Sequence, residues 1–73
     1  MLSKAEKQKL KEIGLSIRKL RLAKNITQAQ MAFELNTSTK QYQRIEYGEI
    51  NTSIINIIRI CTILEIPTHK IIF

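Results

Sequence analysis

The residues Thr27 to Gly48, TQAQMAFELNTSTKQYQRIEYG, decide the fold. They read as two short helices around a tight turn. Thr27 and Gln30 have the spacing of a capping box, in which each side chain accepts the other residue's unpaired backbone N–H. Met31, Ala32 and Leu35 then form an inward face with Phe33 on its flank, and the small Ala32 admits a closely crossing helix. Asn36–Thr37 breaks the pattern, and Asn tolerates the left-handed backbone of a tight turn. Ser38 with Gln41 repeats the capping box and opens a second helix, anchored by Tyr42 and Ile45 and capped near Gly48.

Working outward, Ser3–Lys4–Ala5–Glu6 is another capping box, opening a helix that runs to about Lys24. Leu10, Ile13, Ile17 and Leu20 fall in a sector of about 80°, the core stripe of an amphipathic helix. Residues 1–9 add nothing to that stripe and are expected to project or fray as a basic extension. Leu15 and Leu22 point away from it. Arg21 lies at its edge, within about 20° of Leu10. Because a buried unpaired charge is strongly destabilising, the chain must supply an acid that also points inward.

After Gly48, residues 49–53 form a loop ending in an N-cap, Thr52 or Ser53. The run from Ile54 to Leu64 places apolar residues in pairs separated by single polar ones, which predicts a helix despite its isoleucines. Its predicted core face is Ile54, Ile57, Ile58, Cys61 and Leu64, with Ile55, Ile60 and Ile63 outside. Pro67 stops it, and residues 68–73 form a last short turn. The expected architecture is all-α, five helices in a single domain over residues 1–73. Ile60, Ile63, Ile71 and Phe73 are then surplus apolar surface, and the expectation is a homodimer that covers them.

The net charge is +6, and all of it resides in residues 1–24. A basic segment on a neutral body suggests an anionic polymer as partner. No apolar run approaches the roughly 20 residues of a membrane span, and no secretory leader is apparent. The single cysteine fits a reducing, cytoplasmic setting. Cys61 falls on the core face and His69 stands alone, so neither a metal site nor a nucleophile is supported. No cofactor and no enzyme activity are expected.

On the second helix of the opening stretch, Lys40 and Arg44 lie one turn apart, opposite Tyr42 and Ile45, flanked by Thr39, Gln41 and Gln43. Glu46, the only acid there, falls about 40° from Tyr42 on the inner side. It is the partner Arg21 requires. The outer face is left with cations, amides and hydroxyls, a set suited to base edges in the DNA major groove. Gln28 sits at a helix start, where backbone N–H groups favour a phosphate.

The segment IRKLRLAKNITQ from Ile17 to Gln28, the A-x-x-L of Ala32 to Leu35, and the S-x5-R-I-E-x-G of Ser38 to Gly48 resemble the Cro/phage-repressor (XRE) family of helix-turn-helix domains. The resemblance covers about Ile13 to Leu64. It implies a lambda-repressor-like domain, a transcriptional regulator or repressor that binds a palindromic operator as a homodimer. Its recognition helix, residues 38–46, would enter the major groove. Thr39, Lys40, Gln43 and Arg44 match base-facing positions; Arg18, Gln28, Gln41 and the Gly48–Asn51 loop match phosphate-contacting ones. The Arg21–Glu46 ion pair is also a family feature. Asn36 replaces the usual turn glycine, and Glu49 and Thr52 replace a basic residue and a proline. The loop contact then rests on backbone N–H groups, Asn51 and Thr52, with Lys4 to Lys11 as a compensating electrostatic clamp. Two other roles stay open. One is an antitoxin or similar interaction module with a toxin or other protein partner, suggested by Leu15, Leu22 and the surplus isoleucines. The other is the controller of a restriction–modification system.

Overall fold

Each helix starts where a hydroxyl side chain accepts an otherwise unpaired backbone N–H. In the computed structural model, which describes residues 1–71, α1 spans Lys4–Ala23, α2 Gln28–Glu34, α3 Thr39–Glu46 and α4 Ile54–Leu64. Ser3 Oγ accepts from Glu6 N at 3.1 Å, while the Glu6 carboxylate accepts from Ser3 N at 2.8 Å. Thr27 and Gln30 close the same reciprocal box at 3.0 and 2.7 Å. Ser38 and Ser53 accept from Gln41 N and Asn56 N at 3.0 and 3.2 Å. At Ser38 only this half of the expected box forms. Such caps contribute about 0.5–2 kcal/mol each.

The helix ends repeat one device. Asn25, Asn36, Gly48 and Glu65 all have φ between 56° and 70°. The following N–H reaches back to a carbonyl five residues earlier: Ile26 to Arg21, Thr37 to Ala32, Glu49 to Arg44 and Ile66 to Cys61, at 2.9–3.2 Å. This left-handed cap satisfies carbonyls that the helix leaves open. Asn36 therefore takes the turn conformation that its chemistry allows.

Ile17, Met31, Tyr42, Ile60 and Leu64 are fully buried, and Ala32, Ile45, Ile57, Cys61 and Ile71 complete the core. α3 packs against both α1 and α2, so the short helix is held from two sides. Leu15 and Leu22 are exposed, as their wheel positions require.

Three expectations need correction. The buried face of α4 is Ile57, Ile60, Cys61 and Leu64, whereas Ile54 and Ile58 are 58% and 45% exposed. Apolar residues surround this helix on nearly every side, so its pattern admits two orientations, and packing selects the one turned by roughly 50°. Ile60 and Ile71 are consequently core residues, not surplus surface; Ile63 is half-buried, and Phe73 lies outside the described residues. The expected fifth helix is a single 3-10 turn, Thr68–Lys70. Pro67 breaks the chain direction there, and Ile71 returns at once to the core, which leaves no room for a longer helix among the described residues.

Candidate nucleic-acid interface

The site is built on a buried ion pair. Arg21, 5% exposed, donates from Nε to Glu46 Oε2 at 2.5 Å and from Nη2 to Glu46 Oε1 at 3.2 Å. Its Nη1 donates to the Ile26 carbonyl at 2.7 Å, so each nitrogen of the fork has an acceptor. Gln28 Nε2 adds a bond to Glu46 Oε1 at 3.2 Å, and Gln28 Oε1 in turn accepts from Gln43 Nε2 at 2.9 Å. A chain of contacts therefore runs from α1 through the end of α3 and the start of α2 to the middle of α3.

Burial pushes the Glu46 carboxyl up, but hydrogen bonds from the Arg21 guanidinium and the Gln28 amide outweigh it, and the group is held below the usual carboxylate range. The same bond raises Arg21 further above its ordinary value. Tyr42 lies in this pocket with its hydroxyl buried and without a hydrogen-bond partner among the described residues; burial first, and then the Glu46 carboxylate, push its phenol up.

Two glycines let α1 approach α3 closely. A Cβ at Gly14 would collide with the Glu46 carbonyl. At Gly48, with φ 70°, a Cβ would lie 2.7 Å from the Lys11 backbone. The C-terminal end of α3 is thus seated directly on α1, and the ion pair and the close contact together fix its tilt.

The sequence-predicted residues distribute as follows. Thr39, Lys40, Gln41 and Arg44 are exposed on the outer face of α3. Gln43 is half-buried and tied to Gln28, whose two polar atoms are both engaged within the protein. Arg18 is exposed at a surface cavity shared with Thr27, Gln28 and Tyr47. Asn51 is exposed, and Thr52 is half-buried, its Oγ1 accepting from Asn56 Nδ2 at 3.1 Å. Two further residues join the face. Tyr47, 50% exposed, lines an open cavity with Lys40, Gln43 and Arg44, and Glu49 reaches Arg44 Nε at 3.8 Å. An aromatic between a helix end and its capping glycine was the available signal for Tyr47. For Glu49 there was none, because its pairing depends on how the cap turns the chain.

A short helix with a cation- and amide-bearing outer face, held by a second short helix and by an internal ion pair, defines a DNA-binding helix-turn-helix regulator. The family comparison agrees: the helix-turn-helix profile matches residues 17–71. The chain belongs to this family, as a Cro/C1-type (XRE) transcriptional regulator. Among solved structures it is similar to the restriction-modification controller protein C.AhdI from Aeromonas hydrophila, at 31% identity and a TM-score of 0.80, over 85% of this chain and 94% of that one. Among curated proteins none matches the sequence. No helix among the described residues is long and apolar enough to cross a membrane.

Proposed function

We propose that the protein binds a palindromic operator as a homodimer, one α3 in each of two major grooves, and acts as the controller of a restriction–modification system. Two-fold symmetry sets the half-sites about one helical turn, ~10 bp, apart. Thr39, Lys40, Gln43 and Arg44 read base edges. Arg18, Gln41, Asn51 and Thr52 contact phosphates with their side chains and Gln28 with its backbone N–H at the start of α2, and together they set the register. The observation that carries this reading is the outer face of α3, where Lys40 and Arg44 are exposed while the helix's only acid is buried against Arg21. The controller role is supported by the likeness to C.AhdI.

The test is fluorescence anisotropy on a duplex selected from a random library, against a scrambled control. Arg44→Ala and Lys40→Ala are each expected to lower affinity for the selected duplex by about 1–3 kcal/mol, roughly 5- to 150-fold, with little effect on the scrambled one. Equal affinity for both duplexes, unmoved by either substitution, would sink sequence-specific binding. Endonuclease and methyltransferase genes adjacent in the genome would support the controller role.

A second reading, an interaction module such as an antitoxin, is favoured by Phe33. This side chain is 81% exposed at an open cavity of about 630 Å³ that it shares with Ile26 and Ile63. An adjacent toxin gene, and loss of complex formation in Phe33→Asp, would decide for it.

A further inference from the structure

The first two turns of α1 are nearly all exposed and supply no buried residue, yet they are helical from Lys4 onward under a complete Ser3–Glu6 capping box. At about 100° per residue, Lys4, Lys7, Lys11 and Arg18 fall within a sector of about 60°. The nearby carboxylates lie off this stripe. Glu6 is engaged with the Ser3 backbone, and Glu12 sits 3.9 Å from Lys9. Lys4, Lys7 and Lys11 have no salt-bridge partner among the described residues.

The stripe borders the edge of α1 that meets the reading helix. Gly14 lies against the Glu46 backbone, and the Lys11 backbone lies against Gly48. Leu10 and Ile13 also line one small cavity with Asn51 and Thr52. Lys11 is therefore anchored beside the loop that follows α3. A rise of 1.5 Å per residue carries Lys4 about 10 Å farther along the helix, so the three lysines can meet more than one phosphate.

We propose that Lys4, Lys7 and Lys11 form a second DNA contact, a rigid electrostatic clamp on the backbone phosphates that flank the half-site read by α3. The proposal rests on the operator-binding reading above and adds to it a surface outside the region matched by the family, which begins at residue 17. Contacts of this kind carry no base information. Their signature is the salt dependence of binding, because each phosphate neutralised releases counterions.

The experiment measures operator affinity from 50 to 200 mM salt for the full-length protein and for K4Q/K7Q/K11Q. The slope of log K against log[salt] is expected to shallow by about 0.9 per lysine, so the loss of affinity over this range shrinks by roughly 40-fold per protomer. Base preference at the operator stays as it was. Trimming the flanks of the duplex abolishes the difference between the two proteins. A control variant with the same charge loss off the stripe, K9Q/K24Q/K70Q, keeps the wild-type slope. Circular dichroism confirms that both variants remain helical. Specific operator binding with an unchanged slope in K4Q/K7Q/K11Q overturns the clamp while leaving the operator reading intact. An equal effect in the control variant also overturns it, by assigning the effect to net charge alone. An unchanged operator slope with lost binding to phosphatidylserine vesicles overturns it in favour of a membrane surface. Absence of operator preference in the wild type is instead the failure of the underlying reading.

Discussion

Glu46 has to remain ionised inside the domain for α3 to stay in place, and that requirement makes the domain sensitive to acid. Its carboxyl is held below its ordinary value by the Arg21 guanidinium and the Gln28 amide against the opposing effect of burial. The unfolded chain, with an ordinary glutamate pKa of about 4.3, binds that proton first as pH falls. The resulting stability is fully present above that value and is lost as pH drops through the lower folded-state value. Thermal melts of the wild type between pH 3 and 6 should therefore show a steep acid loss. Glu46→Gln should flatten that loss while lowering stability at pH 7 by about 3–5 kcal/mol, because Arg21 is left buried without its counter-charge. The Arg21→Met/Glu46→Leu double variant should recover more stability than either single change. Additive losses would show that the pair is not coupled. The pairing was legible in the sequence, since Arg21 lies at the edge of an apolar face and only Glu46 points inward to meet it. The link from Glu46 through Gln28 to Gln43 was not, because amide pairing depends on side-chain torsions that helix phase does not fix.

At the scale of elements, capping chemistry made the helix starts readable, and helix periodicity set the faces of α1, α2 and α3. The same method failed on α4, for a physical reason. Its isoleucines satisfy two orientations, and only the presence of α1 and α2 chooses between them. The outcome is testable by contrast. Ile60, fully buried, and Ile54, 58% exposed, have the same side chain on the same helix. Ile60→Ala should cost about 2–5 kcal/mol, and Ile54→Ala no more than about 0.5 kcal/mol, in urea unfolding. A larger loss at Ile54 than at Ile60 would restore the orientation expected from the pattern. The contact between α1 and α3 has its own probe. Gly14→Ala gains helix propensity in α1 but drives a methyl group into the Glu46 carbonyl. A net loss of about 1–3 kcal/mol is expected, together with weaker operator binding, because the end of α3 must shift.

For the whole molecule, the rotation of α4 changes which surface a second copy would cover. Ile60 and Ile71 are sealed in the chain's own core, and the apolar residues left outside on α4 are Ile54, Ile55 and Ile58. A stable dimer of standard size buries about 800 Å² per partner, roughly a sixth of this chain's 5100 Å². A stripe of three isoleucines on one helix can seed such an interface but cannot fill it, so adjoining surface must take part. Ile58→Asp places a charge on this stripe at a position that is already 45% exposed, so the fold should survive. Sedimentation equilibrium is expected to give a dimer for the wild type and a monomer for Ile58→Asp, with unchanged circular dichroism. The monomeric variant should keep affinity for a single half-site and lose the gain from a second one placed ~10 bp away. Ile60→Asp, by contrast, should lose the fold itself, since it buries an unpaired carboxylate at a fully enclosed position. A wild type that sediments as a monomer both free and on the operator, or an Ile58→Asp variant that stays dimeric, would place the contact between copies elsewhere or remove it.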